Sequence, residues 1–222
     1  MVLVADSFEA PIVAWRGSSD ETSPLVVLFH GRGSSETEII SLVAHLPRAL
    51  AYAAVRAPIS EGNGYAWFAN LGIGRPVAES LASTMAWFRR WLDDVAPEPR
   101  PVILVGFSGG AAFAGGLILS DPARFDGAAI LLGTLPFDAG VPLSQGRLAG
   151  MRVFVAQGDA DTVIPRELLD RTWRDLHDEF GASILGLRDP GGHGISALVL
   201  ETLSEWIAEF GSQPGGASSP RS

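Results

Sequence analysis

Apolar runs of strand length alternate with longer amphipathic segments over most of this sequence. Continuous apolar runs are typical of strands in a parallel sheet that is covered on both faces. A weaker signal at residues 3–4 and 12–15 predicts one or two further strands at an edge of the sheet. The clear runs predict six strands, at residues 25–29, 51–55, 102–105, 128–132, 153–156 and 183–187.

The segments between these runs have the length and the apolar spacing of helices. They predict helices at residues 37–46, 77–94, 109–120, 166–180 and 196–210. Regular alternation of strands and helices implies right-handed crossovers and layered packing. The predicted fold class is therefore α/β, with a mostly parallel central sheet flanked by helices on both faces.

The chain of 222 residues suits one domain with a core of its own. We expect this domain to span residues 1–210, because residues 211–222 are small, polar and rich in Gly and Pro, which predicts a flexible tail. Two long irregular segments, residues 57–76 and 133–149, each begin where a predicted strand ends. Open α/β sheets bind ligands at that edge, so both segments are expected to contribute to a functional site.

Composition and charge narrow the functional classes. The formal net charge of −9 argues against a general affinity for nucleic acid or for anionic membranes. No apolar run approaches the length of about 20 residues that membrane insertion needs. The first residues lack the pattern of a secretory signal, which predicts a cytoplasmic protein. The absence of Cys and Lys excludes disulfides, thiolate nucleophiles and Schiff-base lysines.

The strongest chemical signal is the segment Gly106-Phe107-Ser108-Gly109-Gly110. It follows an apolar strand and precedes a helix of small residues, an arrangement that exposes a serine hydroxyl at a tight strand-to-helix turn. Glycines two positions before and after the serine let the strand and the helix approach closely. The pattern Gly-x-Ser-x-Gly also arises by chance in a chain with 26 glycines, but the flanking elements favour Ser108 as a nucleophile.

A serine nucleophile needs a base, and the chain order nucleophile, acid, base in α/β-hydrolases leaves His177 or His193. His177 lies among charged residues of a predicted helix, whereas His193 lies in a Gly-rich loop between the last strand and the last helix. That loop gives the imidazole room to reach the serine, so His193 is the predicted base. The acid is expected after strand 153–156, where Asp159 and Asp161 remain alternatives on spacing alone.

Backbone N–H groups must be in place for the negative charge that develops on a substrate carbonyl oxygen. One donor is expected from Gly109, directly after the serine, and the other from Arg32 in the Gly-rich loop after strand 25–29. His30 in the same loop is expected to hold it from below. The guanidinium of Arg32 is expected to face solvent, with an acidic substrate as its alternative contact.

Six motifs together resemble the phospholipase/carboxylesterase family of α/β-hydrolases, which includes the acyl-protein thioesterases. The resemblance covers about residues 25 to 210, nearly the whole predicted domain. The motifs are HGRG at 30–33, RAP at 56–58, GYAWF at 64–68, GFSGG at 106–110, GDADTVIP at 158–165 and GHG at 192–194.

This resemblance implies a carboxylic ester hydrolase with a Ser-Asp-His triad, no metal and no other cofactor. It implies Asp161 as the acid, and Arg32 and Gly109 as the oxyanion donors. Many members of the family have His where this chain has Gln157, and Gln where it has Gly109. The resemblance therefore implies the reaction class and leaves the thioesterase activity open.

The resemblance also places Trp67 and Phe68 near the acyl or alcohol pocket. Aromatic rings there would supply apolar contact area for a substrate, and the alternative is that they only pack their loop onto the sheet. Leu135 and Phe137 are expected to form the opposite wall of the pocket, and Ile164 is a further expected substrate contact.

These signals together predict a serine carboxylesterase that works through an acyl-enzyme intermediate. No insertion is long enough to form a cap domain, so we expect an open, shallow site that favours short to medium acyl esters. An acyl thioesterase or a lysophospholipase on the same triad is the alternative among enzymes, and a non-catalytic binding protein of the same fold is the alternative outside them. The expected partner is a small-molecule ester, and the sequence leaves a homodimer open.

Overall fold

The predicted strands form one sheet in the computed structural model of the protein, which describes residues 8–211. The strands in chain order are β1 Val13–Gly17, β2 Leu25–Phe29, β3 Ala51–Val55, β4 Ile59–Glu61, β5 Gly64–Ala66, β6 Val102–Phe107, β7 Gly127–Leu131, β8 Arg152–Gly158 and β9 Ser183–Asp189. Seven of them form a sheet in the order β1-β3-β2-β6-β7-β8-β9. Strand β1 is antiparallel to β3, and every other neighbouring pair in this sheet is parallel.

Helices cover both faces of this sheet. In chain order they are α1 Glu36–Ile39, α2 Ala78–Val95, α3 Gly109–Ser120, α4 Arg166–Arg174 and α5 Ala197–Gly211. Phe88 of α2 and Phe113 of α3 belong to the core on one face, and Ile39 of α1 and Trp206 of α5 belong to the core on the other. All five residues of β2 are buried because the sheet is covered on both faces, which explains its continuous apolar run. The predicted α/β fold class is confirmed.

Two predicted helices are shorter than their apolar spacing indicated. The segment 37–46 is a single turn of α-helix, α1, followed by a 3₁₀-helix at Ile40–His45. Its β-branched residues disfavour a regular α-helix, and the hydroxyl of Ser41 donates to the backbone carbonyl of Glu38 at 2.6 Å. The segment 166–180 begins as α4 and continues as a π-helical turn at Asp175–Glu179.

The segment 57–76 is not irregular throughout, because β4 and β5 form an antiparallel hairpin in which Glu61 lies opposite Gly64. The hairpin also reaches the loop after β2, where the backbone N–H of Gly33 donates to the carbonyl of Tyr65 at 2.9 Å. Strands of three residues are too short to show a period in the sequence. The hairpin therefore went unpredicted.

The two ends of the described chain match the sequence analysis in part. Strand β1 is the edge strand that the signal at residues 12–15 predicted, and α5 ends at Gly211, one residue beyond its predicted end. Gly211, the first residue of the predicted flexible tail, belongs to α5. The signal at residues 3–4 and the rest of the predicted tail, residues 212–222, lie outside the described residues.

The carboxyl ends of β2, β6, β8 and β9 bring four loops to one edge of the sheet. Parallel strands run in the same direction, so the loops that follow them meet at a common edge. The register aligns these ends, because Phe29 lies opposite Gly106, and Gly158 lies opposite Asp189. The residues that follow the four strands include the predicted nucleophile, its base, its acid and both oxyanion donors.

Candidate active site

Ser108 lies in a sharp turn between β6 and α3. Its backbone has φ +54° and ψ −114°, and a positive φ at a residue other than Gly costs about 1–3 kcal/mol. The turn closes because Gly106 and Gly110 lack side chains. A Cβ on Gly106 would lie 2.2 Å from the carbonyl oxygen of Gly110, and a Cβ on Gly110 would lie 2.3 Å from that of Phe29. This strained turn presents Ser108 to the pocket that it lines.

A chain of hydrogen bonds joins Ser108, His193 and Asp161. The serine Oγ lies 2.9 Å from Nε2 of His193, and Nδ1 of the same imidazole lies 2.8 Å from Oδ2 of Asp161. An ionised carboxylate only accepts hydrogen bonds, so Nδ1 carries the ring proton. Nε2 is then free to accept the proton of the serine hydroxyl, which is what general-base activation of a serine requires.

Asp161 is held as a carboxylate by three hydrogen bonds, one from His193 to Oδ2 and two from the protein backbone to Oδ1. Its side chain is fully buried, and Oδ1 accepts hydrogen bonds from the backbone N–H groups of Val163 at 2.8 Å and Ile164 at 3.0 Å. Burial by itself would raise the pKa of Asp161. The hydrogen bonds from His193 and from the two backbone N–H groups outweigh that effect and hold its pKa below the usual 3.8.

The rival carboxylate, Asp159, points elsewhere. Its Oδ1 accepts a hydrogen bond from Nε of Arg188 at 3.0 Å, and half of its side chain is exposed. Gln157, which stands where many family members have His, is buried and binds Arg188, the same residue that Asp159 contacts. Its amide donates to the carbonyl of Leu169 at 2.7 Å and accepts from Arg188 at 2.8 Å. The structure thus places Asp161, and not Asp159, against the imidazole.

The loops that carry the acid and the base are joined by backbone hydrogen bonds. Asp159 N–H donates to the Asp189 carbonyl at 2.7 Å, and Ala160 N–H donates to the Gly191 carbonyl at 3.0 Å. The buried carboxylate of Asp189 accepts from Gly191 N–H at 2.7 Å and from the hydroxyl of Ser196 at 2.5 Å. Asp189 therefore closes both ends of the loop that contains His193.

The two predicted oxyanion donors lie next to each other. A Cβ on Gly109 would lie 3.4 Å from the backbone nitrogen of Arg32. Gly109 is the first residue of α3, so its N–H has no helical acceptor. In the described part of the chain, the N–H of Arg32 donates to no other group. Both donors are thus available at the same side of Ser108.

His30 holds the loop of Arg32, as the sequence led us to expect. Its Nε2 accepts from the N–H of Ala57 at 3.1 Å, so Nδ1 carries the proton and donates to the carbonyl of Gly31 at 2.7 Å. The ring is fully buried. Burial lowers its pKa from the usual 6.5, so the imidazole is neutral at physiological pH. His177, which the sequence analysis set aside as the base, has an exposed side chain whose Nδ1 lies 2.6 Å from a carboxylate oxygen of Asp178.

A pocket opens beside Ser108 and encloses about 560 Å³, including the space at its mouth. Four of the five residues predicted for the pocket line it, namely Trp67, Phe68, Leu135 and Ile164. Phe137 does not line it. Its ring is buried beneath the guanidinium of Arg171, which lies 3.9 Å from the ring centre, because the segment 133–149 folds back against α4.

Trp67 has both of the roles that were given as alternatives, pocket lining and packing of its loop. It lines the pocket, and it also fixes its loop to the core. Its indole N–H donates to the carbonyl of His30 at 2.8 Å, and its ring stacks on that of Phe113 at a centroid distance of 4.5 Å. These two contacts fix the ring of Trp67 in the pocket wall.

Sequence reasoning missed residues that complete the site. The ring of Phe107 packs against the imidazole of His193 at a centroid distance of 5.2 Å, and its place before the serine in the Gly-x-Ser-x-Gly segment was the available signal. Asn70 and Ile73 also line the pocket. They lie in an irregular segment without a pattern. Within residues 8–211, no group of three or more His, Cys, Asp or Glu side chains is arranged to hold a metal ion.

A family model for phospholipases and carboxylesterases matches residues 12–208 of the chain. The chain belongs to the phospholipase/carboxylesterase family. The members of this family are hydrolases, and this chain is one of them. Among the described residues, none of the helices has the combined length and apolar character needed to cross a membrane.

Relatives of this phospholipase/carboxylesterase family member agree in length and in fold. A Bacillus subtilis (strain 168) protein named "Putative hydrolase MhqD" is 27% identical over 198 residues, which cover 87% of this chain and 96% of that protein. The Bacillus cereus carboxylesterase structure has a TM-score of 0.80 at 22% identity and covers 90% of this chain and 94% of its own. A carboxylesterase from Mesorhizobium loti has a TM-score of 0.79 at 24% identity, with 94% and 97% covered.

Proposed function

We propose that the protein is a serine carboxylesterase in which Ser108 is the nucleophile, His193 the base and Asp161 the acid. The observation that carries this proposal is the unbroken chain of hydrogen bonds from the serine hydroxyl through the imidazole to a buried carboxylate. The family and the carboxylesterases of the same fold support the reaction class.

In the proposed acylation step, Oγ of Ser108 attacks the acyl carbon of the ester and Nε2 of His193 takes the hydroxyl proton. The ester oxygen leaves as the C–O bond breaks, and His193 returns the proton to it as the alcohol. Asp161 stabilises the imidazolium that exists between these two events. The backbone N–H groups of Arg32 and Gly109 bind the oxygen that becomes negative in the tetrahedral intermediate.

In the proposed deacylation step, the same groups act on water. His193 takes a proton from a water molecule, whose oxygen attacks the acyl carbon of the Ser108 ester. The bond between the acyl carbon and Oγ breaks, the carboxylic acid is released, and His193 returns the proton to Ser108. No group is consumed, and the net reaction is ester plus water to acid plus alcohol.

The pocket supports short to medium acyl esters as substrates. Its walls are largely apolar, with Trp67, Phe68, Leu135 and Ile164 among the lining residues. Its space of about 560 Å³ includes open solvent at the mouth, so the enclosed part is smaller and fits a short acyl chain better than a long one. A strong preference for long acyl chains would contradict this part of the proposal.

Labelling with a fluorophosphonate probe, which reacts with activated serines, tests the mechanism. We expect the wild-type protein to be labelled and Ser108→Ala to be unlabelled. Absence of labelling in the wild type, or equal labelling of the variant, rejects the serine mechanism. A panel of p-nitrophenyl esters of increasing acyl length, with matched acyl thioesters and lysophospholipids, then measures which class gives the highest kcat/KM.

A further inference from the structure

Arg32 is the one charged residue among the described residues that line the pocket. The remaining lining residues are apolar or neutral, and they include Asn70 and Thr134. The side chain of Arg32 is 48% exposed. A side chain that lines a pocket and is half exposed lies at its rim, so Arg32 sets the charge that an incoming substrate meets.

The guanidinium of Arg32 is already occupied by Glu61. Its Nε and one terminal nitrogen donate to the two carboxylate oxygens of Glu61, in the paired geometry that a guanidinium makes with a carboxylate. The hydrogen bond from Arg32 lowers the pKa of Glu61, and the same contact raises the pKa of Arg32. Both groups stay ionised across the working pH range, so their charges cancel at the rim.

Glu61 is presented to Arg32 by the hairpin of β4 and β5. It is the last residue of β4 and pairs with Gly64 of β5. Tyr65 of β5 donates its backbone N–H to the carbonyl of Ser34 at 3.0 Å and accepts from the N–H of Gly33. The carboxylate is therefore fixed to the loop that carries Arg32, and a substrate anion would have to displace it from that guanidinium.

We propose that Glu61 is a specificity-determining residue that neutralises Arg32 at the pocket rim and thereby makes the enzyme select uncharged esters over anionic ones. This inference rests on the proposed ester hydrolysis. In the wild-type protein, a substrate carboxylate that approaches Arg32 meets a guanidinium already paired with Glu61, and the carboxylate of Glu61 repels it. Without the negative charge of Glu61, Arg32 becomes a free cation that attracts such a substrate.

The test compares two p-nitrophenyl esters of glutarate that differ at the far end of the acyl chain: one ends in a free carboxylate and is anionic, and the other ends in a methyl ester and is neutral. The measured quantity is the ratio of their kcat/KM values after subtraction of spontaneous hydrolysis. Both esters use the same nucleophile and leaving group, so any general loss of activity in a variant cancels in the ratio. For Glu61→Gln, we expect the anionic-to-neutral ratio to rise roughly two- to fivefold, the scale of an exposed charge pair.

Glu209→Gln is the matched control. Glu209 forms an ion pair with Arg152, which begins β8 and therefore lies at the opposite edge of the sheet from the pocket. The substitution changes the net charge of the protein by the same amount, and its ratio should equal that of the wild type. Glu61→Gln combined with Arg32→Gln should return the ratio to the wild-type value or below, because the free cation is gone.

The outcomes separate the two proposals. If the wild type hydrolyses the neutral ester and Glu61→Gln leaves the ratio unchanged, Glu61 does not set the charge preference although the esterase proposal stands. An equal rise in Glu209→Gln shows a general effect of net charge and also overturns the inference. If the wild type hydrolyses neither ester, the proposed function fails and this inference fails with it. The rise in Glu61→Gln should also shrink at high ionic strength, since salt screens exposed charges.

Discussion

The two sides of Ser108 are built on different physical principles. On the side of the base, the loops after β8 and β9 depend on buried carboxylates: the side chain of Asp161 is fully buried, and Asp189 is 3% exposed. On the side of the oxyanion donors, the loop after β2 is held by a neutral buried imidazole, His30, and by backbone pairing with β5. The ion pair between Arg32 and Glu61 is exposed, and the buried carboxylate of Glu36, which follows the loop, is neutralised by Arg56.

The difference follows from the charge that each side must stabilise. The base becomes an imidazolium during the proposed reaction, and a buried carboxylate stabilises a positive charge strongly because little solvent screens it. In the same proposed reaction the donors face an oxyanion, and an unpaired buried carboxylate next to it would be repulsive. Neutral N–H dipoles stabilise that oxygen without such repulsion. The chain accordingly places Glu61 at the rim, bound to Arg32, and outside the pocket lining.

The strongest test of this contrast is the loss of the buried charge beside His193. For Asp161→Asn we expect kcat to fall by roughly 10⁴-fold, because the amide neither stabilises the imidazolium nor holds the ring in the correct tautomer. Asp159→Asn is the control, since Asp159 pairs with Arg188 at the surface. Its kcat should stay within about fivefold of the wild type. Steady-state kinetics on a p-nitrophenyl ester measures both, and similar losses in the two variants contradict the assignment of the acid.

A second test asks whether the base side depends on Asp189 as well. For Asp189→Ala we expect kcat to fall by up to about 10²-fold with little change in KM, because the loop of His193 loses the acceptor for Gly191 and Ser196. The proton shared by His193 and Asp161 should also lose its far-downfield NMR signal in this variant. Asp189→Asn keeps one acceptor and should lose less. A normal NMR signal in Asp189→Ala rules out a positioning role.

On the donor side, His30 makes stability depend on pH. Its pKa is lowered in the folded protein, so between that value and the usual 6.5 the unfolded chain binds more protons than the folded one. The contribution of His30 to stability is complete above pH 6.5 and is lost as the pH falls through the folded pKa. His30→Gln should lack this dependence and should lower the free energy of unfolding at pH 8 by about 1–2 kcal/mol.

Urea unfolding at a series of pH values measures this effect. The difference in unfolding free energy between wild type and His30→Gln should shrink as the pH falls below 6.5, and a constant difference excludes titration of His30. The kcat of His30→Gln at pH 8 separately measures whether the loop still holds the N–H of Arg32 in place.

The smallest effect is expected at the exposed ion pair. The proposed role of Arg32 uses its backbone N–H, which Arg32→Ala retains, so kcat for a neutral ester should fall by no more than about fivefold. If Arg32→Ala lost as much activity as Asp161→Asn, the exposed ion pair would matter as much as the buried carboxylate, which contradicts the contrast between the two sides. That result would place the guanidinium itself in contact with the reacting atoms.

Much of the fold was predictable because it depends on local patterns. The apolar runs located the strands of the main sheet, and the glycines around Ser108 marked the strand-to-helix turn. The hairpin of β4 and β5 went unpredicted since its strands are too short to show a period. Phe137 was placed in the pocket wall, whereas the structure buries it beneath Arg171. That contact joins two segments whose proximity no local pattern encodes.

The sequence by itself determined the order of the elements, the turn at Ser108 and the choice of His193 over His177, because each follows from residues that are neighbours in the chain. Spacing did not separate Asp161 from Asp159, which are two positions apart in one loop, and only the family resemblance favoured Asp161. The tertiary structure separates them. The register of β8 and β9 sets Gly158 opposite Asp189, which brings Asp161 to the imidazole and leaves Asp159 with Arg188. Pairing between distant side chains depends on how whole strands align, and only the folded sheet fixes that alignment.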